Sequence, residues 1–239
     1  MTTYPKSLSA FIDVEGRFRR STHLEKDFSA AFQNGNYILT PTAREALRRL
    51  IEGVGNGSPF RAWTLTGPYG VGKSAFAVFM TRLLCSRTKQ GEQARAQLEE
   101  NDPMLASRLQ DLGIYSKESK GFLPVLATAR RTPASKCLAE GVVAAAKSAR
   151  SRKLSATVRG LKEKLATQWD GQSWDTRQVV DAISSLSKAA TSDGHQGVLL
   201  VVDELGKLFE YAARYPQKGD VFVLQELAEQ AARSTTAPI

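Results

Sequence analysis

The sequence predicts an α/β fold, with a parallel sheet enclosed by helices in a three-layer α/β/α arrangement. Three observations predict it. Residues 62–66 (AWTLT) form a short apolar run that enters a glycine-rich stretch and then a helix-like segment. Residues 197–204 (GVLLVVDE) form a Val/Leu run closed by two carboxylates, the pattern of a strand buried on both faces. Around these runs, segments of helical period alternate with short apolar stretches, which is the order of βα units.

The elements follow in chain order. Residues 1–35 read as an irregular N-terminal arm with short helical pieces. Residues 36–40 are a short apolar stretch before Pro41. Thr42 reads as an N-cap, with Glu45 completing a capping box. The apolar positions 43, 46, 47, 50 and 51 then keep helical spacing. A turn over residues 53–59 leads to the strand at 62–66 and a helix running to about Cys85. Residues 90–112 read as helices broken near Asn101, Asp102 and Pro103. Residues 121–128 read as a second strand, with Pro124 marking an edge position.

Residues 133–150 read as a helix of small side chains, and 154–168 as another helix before a turn at 169–174. Residues 176–190 form an amphipathic helix, and a polar loop then enters the acidic strand. Gly219 and Asp220 are placed to cap a final helix over residues 221–233.

The composition is that of a globular protein. Of 239 residues, 42% are hydrophobic and 24% charged, enough apolar content for a real core. No apolar stretch spans a bilayer and no secretory h-region opens the chain, so no membrane partner is expected. Cys85 and Cys137 are unclustered and lack metal-ligand spacing, which fits a reducing cytoplasm. His23 and His195 are isolated and read as surface or turn residues. The net charge of +9 is uneven. Between residues 126 and 164, Arg130, Arg131, Lys136, Lys147 and six further basic side chains oppose only Glu140 and Glu163. Such a block suits a solvated face, a nucleic-acid contact or a protein partner, and it contains no aromatic for base stacking.

Gly67, Pro68, Tyr69, Gly70, Val71, Gly72, Lys73 and Ser74 satisfy the phosphate-loop pattern G-x-x-x-x-G-K-[ST]. The glycines allow a tight turn whose N–H groups converge on a phosphate. Lys73 is expected to bridge the β- and γ-phosphates of a nucleoside triphosphate, and Ser74 to place its hydroxyl on Mg²⁺. The helix that follows presents an N-terminus that favours anions. Asp203, at the C-terminal end of the acidic strand, is expected to hold Mg²⁺ through a water. Glu204 is expected to polarise the attacking water. No guanine-specific N-K-x-D is present, and ATP against GTP stays open.

Taken together, TLTGPYGVGKSAFA and LLVVDELGKLFEYAA resemble the P-loop ATPases that carry a catalytic glutamate beside the magnesium aspartate, the AAA+ and STAND-type ATPases among them. They look most like the N-terminal module of large prokaryotic antiphage-defence ATPases, over residues 36–236. The resemblance implies a P-loop NTPase core using ATP and Mg²⁺. It assigns phosphate and metal contacts to the loop residues, and the base to Glu204. It also makes Tyr37, Ile38 and Leu39 candidates for packing on adenine, with a core-facing role as the alternative. Arg130 and Arg131, after the second strand, could reach phosphate or a neighbouring subunit in an oligomer, or simply face solvent.

The 130 positions between Lys73 and Asp203 imply a basic helical insertion at about 129–190, where a DNA or protein partner would dock. In the family's sheet a further strand lies between the loop strand and the acidic strand. This sequence lacks it, so the chain is expected to be C-terminally truncated. The rival readings are a nucleotide-gated switch or scaffold with little turnover alone, and a phosphotransferase on the same loop.

Overall fold

In a computed structural model, the described residues are 21–30, 37–55, 58–85, 88–149, 151–159, 163 and 176–234. They form helices α1 (Leu24–Ser29), α2 (Pro41–Val54), α3 (Lys73–Cys85), α4 (Lys89–Asn101) and α5 (Pro103–Asp111), then strand β1 (Leu123–Thr128). Helices α6 (Ala134–Ser148), α7 (Arg152–Thr157) and α8 (Thr176–Ser192) precede strand β2 (Val198–Asp203). Helices α9 (Gly206–Arg214) and α10 (Phe222–Arg233) complete the fold. The protein is mixed α/β and mostly helical.

The sheet of the described residues has two strands. β1 and β2 pair in parallel, with Leu123 opposite Val198 and Thr128 opposite Asp203. Alternate side chains point to opposite faces, and helices cover both. Leu123, Val125, Ala127 and Val198 join the larger core with α6 and α8, where Leu138 and Ile183 are fully buried. Truncating either of those to Ala should cost about 2–5 kcal/mol. On the other face Leu199 and Val201 pack against Phe76, Phe79, Leu83 and Leu84 of α3. Gly141 lets α6 approach β1 closely, since a Cβ there would stand 3.1 Å from the Leu126 carbonyl oxygen. Helix α8 buries Val179, Ile183, Leu186 and Ala190 on one stripe, which is why its sequence keeps a 3.6-residue period. The segment anticipated as an insertion thus supplies residues of three helices, α6, α7 and α8, to the main core.

The apolar run at 62–66 does not form a strand. Its backbone makes no hydrogen bond among the described residues, and Trp63 and Leu65 are 42% and 40% exposed. A strand is held by its neighbour's N–H and C=O groups, not by its own propensity. No described strand lies beside it, so the three-layer arrangement anticipated from sequence is seen here only as a two-stranded ribbon with helices on each face. Pro124 sits within β1 opposite Leu199, and among the described residues each of the two strands has one edge without a strand partner.

Two caps differ from expectation. Helix α2 starts at Pro41, and Thr40, not Thr42, accepts from the Ala43 amide (3.2 Å). Proline at the first helical position fixes the start one residue past Thr40. Glu45 instead binds Arg48 and Arg49, whose hydrogen bonds hold its carboxyl down at about 2. Asp220 does not cap the last helix, whose N-cap is Val221. Its carboxylate accepts from the Ala134 and Ser135 amides (2.6 and 3.0 Å) at the start of α6. The break at Asp102 is as the sequence predicts, with its side chain accepting from the Leu105 amide (3.0 Å). The turn anticipated at 169–174, most of the arm, and part of the helix at 154–168 lie outside the described residues.

Candidate functional site

Helix α3 carries the phosphate loop to one rim of the sheet. Its C-terminal end meets the start of β1, where the Phe122 amide donates to the Leu84 carbonyl (3.0 Å). Further up, Ala77 and Val78 pack with Leu126 and Val201, two residues short of the strand ends. The helix therefore runs antiparallel to the strands. Its 13 residues span about 20 Å, which matches about 20 Å for a six-residue strand. Lys73 and Ser74 thus come level with the C-terminal strand ends, the rim that also carries Asp203.

The loop conformation depends on its glycines. Gly70 and Gly72 adopt φ of +83° and +87°, left-handed values that a Cβ disfavours. Helix α3 begins at once behind them, with the Phe76 amide bonding to the Gly72 carbonyl (2.9 Å). The first helical amides have no acceptor in the preceding turn, and no acidic side chain occupies the first turn. Tyr69 (89% exposed) and Val71 (60%) project from the loop. Lys73 Nζ donates to the carbonyls of Gly67 (2.8 Å) and Pro68 (2.7 Å), folding back over the loop. A phosphate oxygen is a stronger acceptor than either carbonyl.

On the acidic side, Asp203 ends β2, and the Ala129 amide donates to its carbonyl (2.9 Å). Its carboxylate accepts from the Glu204 amide (2.9 Å). Among the described residues, Glu204 is the only non-glycine with positive φ, at +58°. That conformation costs about 1–2 kcal/mol in an L-residue and turns the chain from strand into α9. The Glu204 carboxylate is exposed and stands 3.5 Å from Lys207 Nζ.

The adenine candidates separate. The Tyr37 ring stacks on Phe79 (4.8 Å between centroids, 20° between planes). Its backbone is clasped by Gln97, which accepts from the Tyr37 amide (3.1 Å) and donates to the Tyr37 carbonyl. Burial raises the pKa of its hydroxyl. Leu39 packs on the same core, whereas Ile38 is 72% exposed. Of the three, only Ile38 offers a free apolar face. Arg131 is engaged by Glu210 (2.8 Å), and Arg130 is exposed.

Among the described residues, no group of three or more His, Cys, Asp or Glu side chains is placed to hold a metal. Asp203 and Ser74 supply two oxygen donors of the kind Mg²⁺ accepts. They fit a Mg²⁺ that brings phosphate oxygens and waters with it, and they do not fit a metal held by protein alone.

Two long-range contacts were not visible in the sequence, the first at this rim and the second near the opposite end of α3. Glu25 of α1 accepts from both the amide and the hydroxyl of Thr128 (2.7 Å each). Arg82 of α3 donates to the carbonyls of Asp27 and Ala30, pinning the end of the arm. Neither has a local sequence signal, because each joins segments far apart in the chain. No helix of the described residues is long and apolar enough to cross a membrane. No protein-family model matches the chain, and neither curated proteins nor solved structures give a match to it.

Proposed function

We propose that the chain is a P-loop ATPase module of the catalytic-glutamate division, with a core of the three-layer kind, and that it binds ATP with Mg²⁺ and hydrolyses it. One observation carries this reading: α3 brings the phosphate loop to the same sheet rim on which β2 ends in Asp203 and Glu204. The loop from Gly67 to Ser74, with Tyr69 and Val71 at its mouth, would cradle the phosphates through its backbone N–H groups, of which Pro68 supplies none. Lys73 would leave the Gly67 and Pro68 carbonyls to bridge the β- and γ-phosphates. Ser74 and Asp203 would hold Mg²⁺, which supplies charge neutralisation on the phosphates when bound. Glu204 would orient the attacking water and take its proton. The resemblance of the two motif segments to antiphage-defence ATPases supports placing this module in a larger DNA-associated or defence machine.

A second reading is a nucleotide-gated switch with little turnover of its own. It is favoured by the engagement of Lys73 with loop carbonyls and of Glu204 with Lys207, since both side chains must be released before chemistry.

Binding of a fluorescent ATP analogue and steady-state phosphate release test the proposal. Lys73→Ala should abolish binding. Glu204→Gln should bind normally and lose about 10²- to 10⁴-fold in turnover. Turnover that survives Glu204→Gln removes Glu204 as the base. Binding without turnover in the unaltered chain selects the switch.

A further inference from the structure

A cavity beside the C-terminal half of α9 shares no residue with the phosphate loop. It has a volume of about 440 Å³ and is lined by Arg131, Glu210, Tyr211, Arg214 and Tyr215. That volume falls in the range of about 300–1,000 Å³ common to ligand sites. Its lining is unusual in having no aliphatic side chain, only arginines, phenol rings and one carboxylate.

The walls are fixed by the fold. Tyr211 and Tyr215 stand one helical turn apart, with the Tyr215 amide donating to the Tyr211 carbonyl (2.9 Å). Their rings lie 5.1 Å apart at 47°, open like a wedge. The amides of Lys218 and Gly219 both donate to the Tyr215 carbonyl (2.9 Å each), and Gly219 packs onto Ala212. The turn after α9 is thereby folded back on the helix. The Arg214 guanidinium lies 5.7 Å from the Tyr215 ring centre. Arg131 crosses from the segment after β1 and is anchored by Glu210 at 2.8 Å.

We propose that this cavity is a contact site for single-stranded nucleic acid. A splayed base would stack on the exposed Tyr215 face, and its phosphate would meet Arg131 and Arg214. The chemistry selects this ligand over others. An apolar molecule would find no aliphatic wall. A metal would find a single carboxylate, already paired. An acidic peptide would use the arginines and leave the phenol faces without a partner. A duplex keeps its bases stacked and cannot present a ring to Tyr215. Among the lining residues Glu210 is paired with Arg131, which leaves Arg214 as their excess charge. The surrounding chain is basic, with a net charge of +9, which favours approach of a polyanion. The basic block following β1 has no aromatic of its own. The fold supplies two from α9 and sets them beside Arg131, near the start of that block.

Fluorescence anisotropy of the full chain without ATP tests this, using a labelled oligothymidylate of roughly 20 nucleotides, with the matching duplex and polyglutamate as competitors. Tyr215→Ala should weaken binding by about 5- to 100-fold, and Tyr215→Phe should retain it. Arg214→Ala should reduce the salt slope by about one charge. Glu210→Gln should tighten binding, a gain that no folding defect produces. The proposal is overturned by three results: Tyr215→Ala binding like the unaltered chain, the duplex or polyglutamate competing as well as the single strand, or no binding at low salt. ATP binding at the phosphate loop is measured separately, so failure here leaves the ATPase reading intact.

Discussion

Glu25 and Thr128, 103 residues apart, are joined by two hydrogen bonds of 2.7 Å, one from the Thr128 amide and one from its hydroxyl. Thr128 lies directly opposite Asp203 in the parallel register. Helix α1 is therefore tied to the strand that neighbours the acidic rim, and Leu24, fully buried beside Ala77 and Val78, holds it there.

Glu25→Ala should lower stability by about 1 kcal/mol, after allowance for solvent screening. The corresponding fall in Tm is roughly 2–4 °C, read in a thermal melt near neutral pH. Burial works to raise the Glu25 carboxyl, but the hydrogen bonds from Thr128 and from Glu25's own amide, with the charge of His23, together outweigh it and hold the carboxyl below its ordinary range. A lowered carboxylate stabilises above its unfolded value and loses that contribution as pH falls. The difference between the two proteins should therefore be full near neutrality and shrink on acidification below about pH 4.5. A constant difference across that range would show that Glu25 acts by packing alone.

Asp220 bonds both first amides of α6 across 86 and 85 residues of chain. Helix α6 has no side-chain cap of its own, since its N-cap is Pro133. Asp220→Ala should cost about 1–2 kcal/mol, and Asp220→Asn should recover part of it. Denaturant melts of the three proteins decide this. An unchanged midpoint in Asp220→Ala would remove the cap from the list of stabilising contacts.

Glu204 is held at φ +58°, a region that Asn enters several-fold more readily than most residues. Glu204→Asn should therefore keep or slightly raise Tm while abolishing ATP turnover, the expected signature of strain kept for a chemical role. A clear loss of stability would show that the Glu204 side chain supports the turn.

His195 sits in the loop between α8 and β2, with Nδ1 3.2 Å from the Gly121 carbonyl. Burial depresses its pKa below 6.5, partly offset by that hydrogen bond. In the pH range just below 6.5 the unfolded chain then binds more protons, so stability falls as pH drops through that window. Melts at about pH 7 and 5.5 should show a steeper loss for the unaltered protein than for His195→Asn. Equal slopes would place the acid sensitivity elsewhere.

Much of the candidate site was legible because its signals are local. The glycine spacing at 67–72 and the Val/Leu run into Asp203 state their backbone needs within a few residues, and both elements form at the positions anticipated for them. The period of α8 and the break at Asp102 were legible for the same reason. The strand anticipated at 62–66 was not a safe inference, since its hydrogen bonds must come from a neighbour that the run itself does not specify. The capping residues failed similarly. Thr42 and Asp220 both have the right chemistry, but Pro41 moved one helix start and Asp220 reached a different helix altogether.

By itself the sequence determined the phosphate-loop turn, the acidic strand end and the amphipathic stripes, because backbone conformation and burial face follow from neighbours a few positions away. Tertiary structure alone decided that α3 runs antiparallel to β2, so that Lys73 and Asp203 share a rim. It also decided that Tyr37 stacks on Phe79 instead of facing outward, and that Arg131 meets Tyr211 and Tyr215. Those facts depend on contacts between segments tens of residues apart, and packing of complementary apolar faces settles them without leaving a pattern in either segment alone.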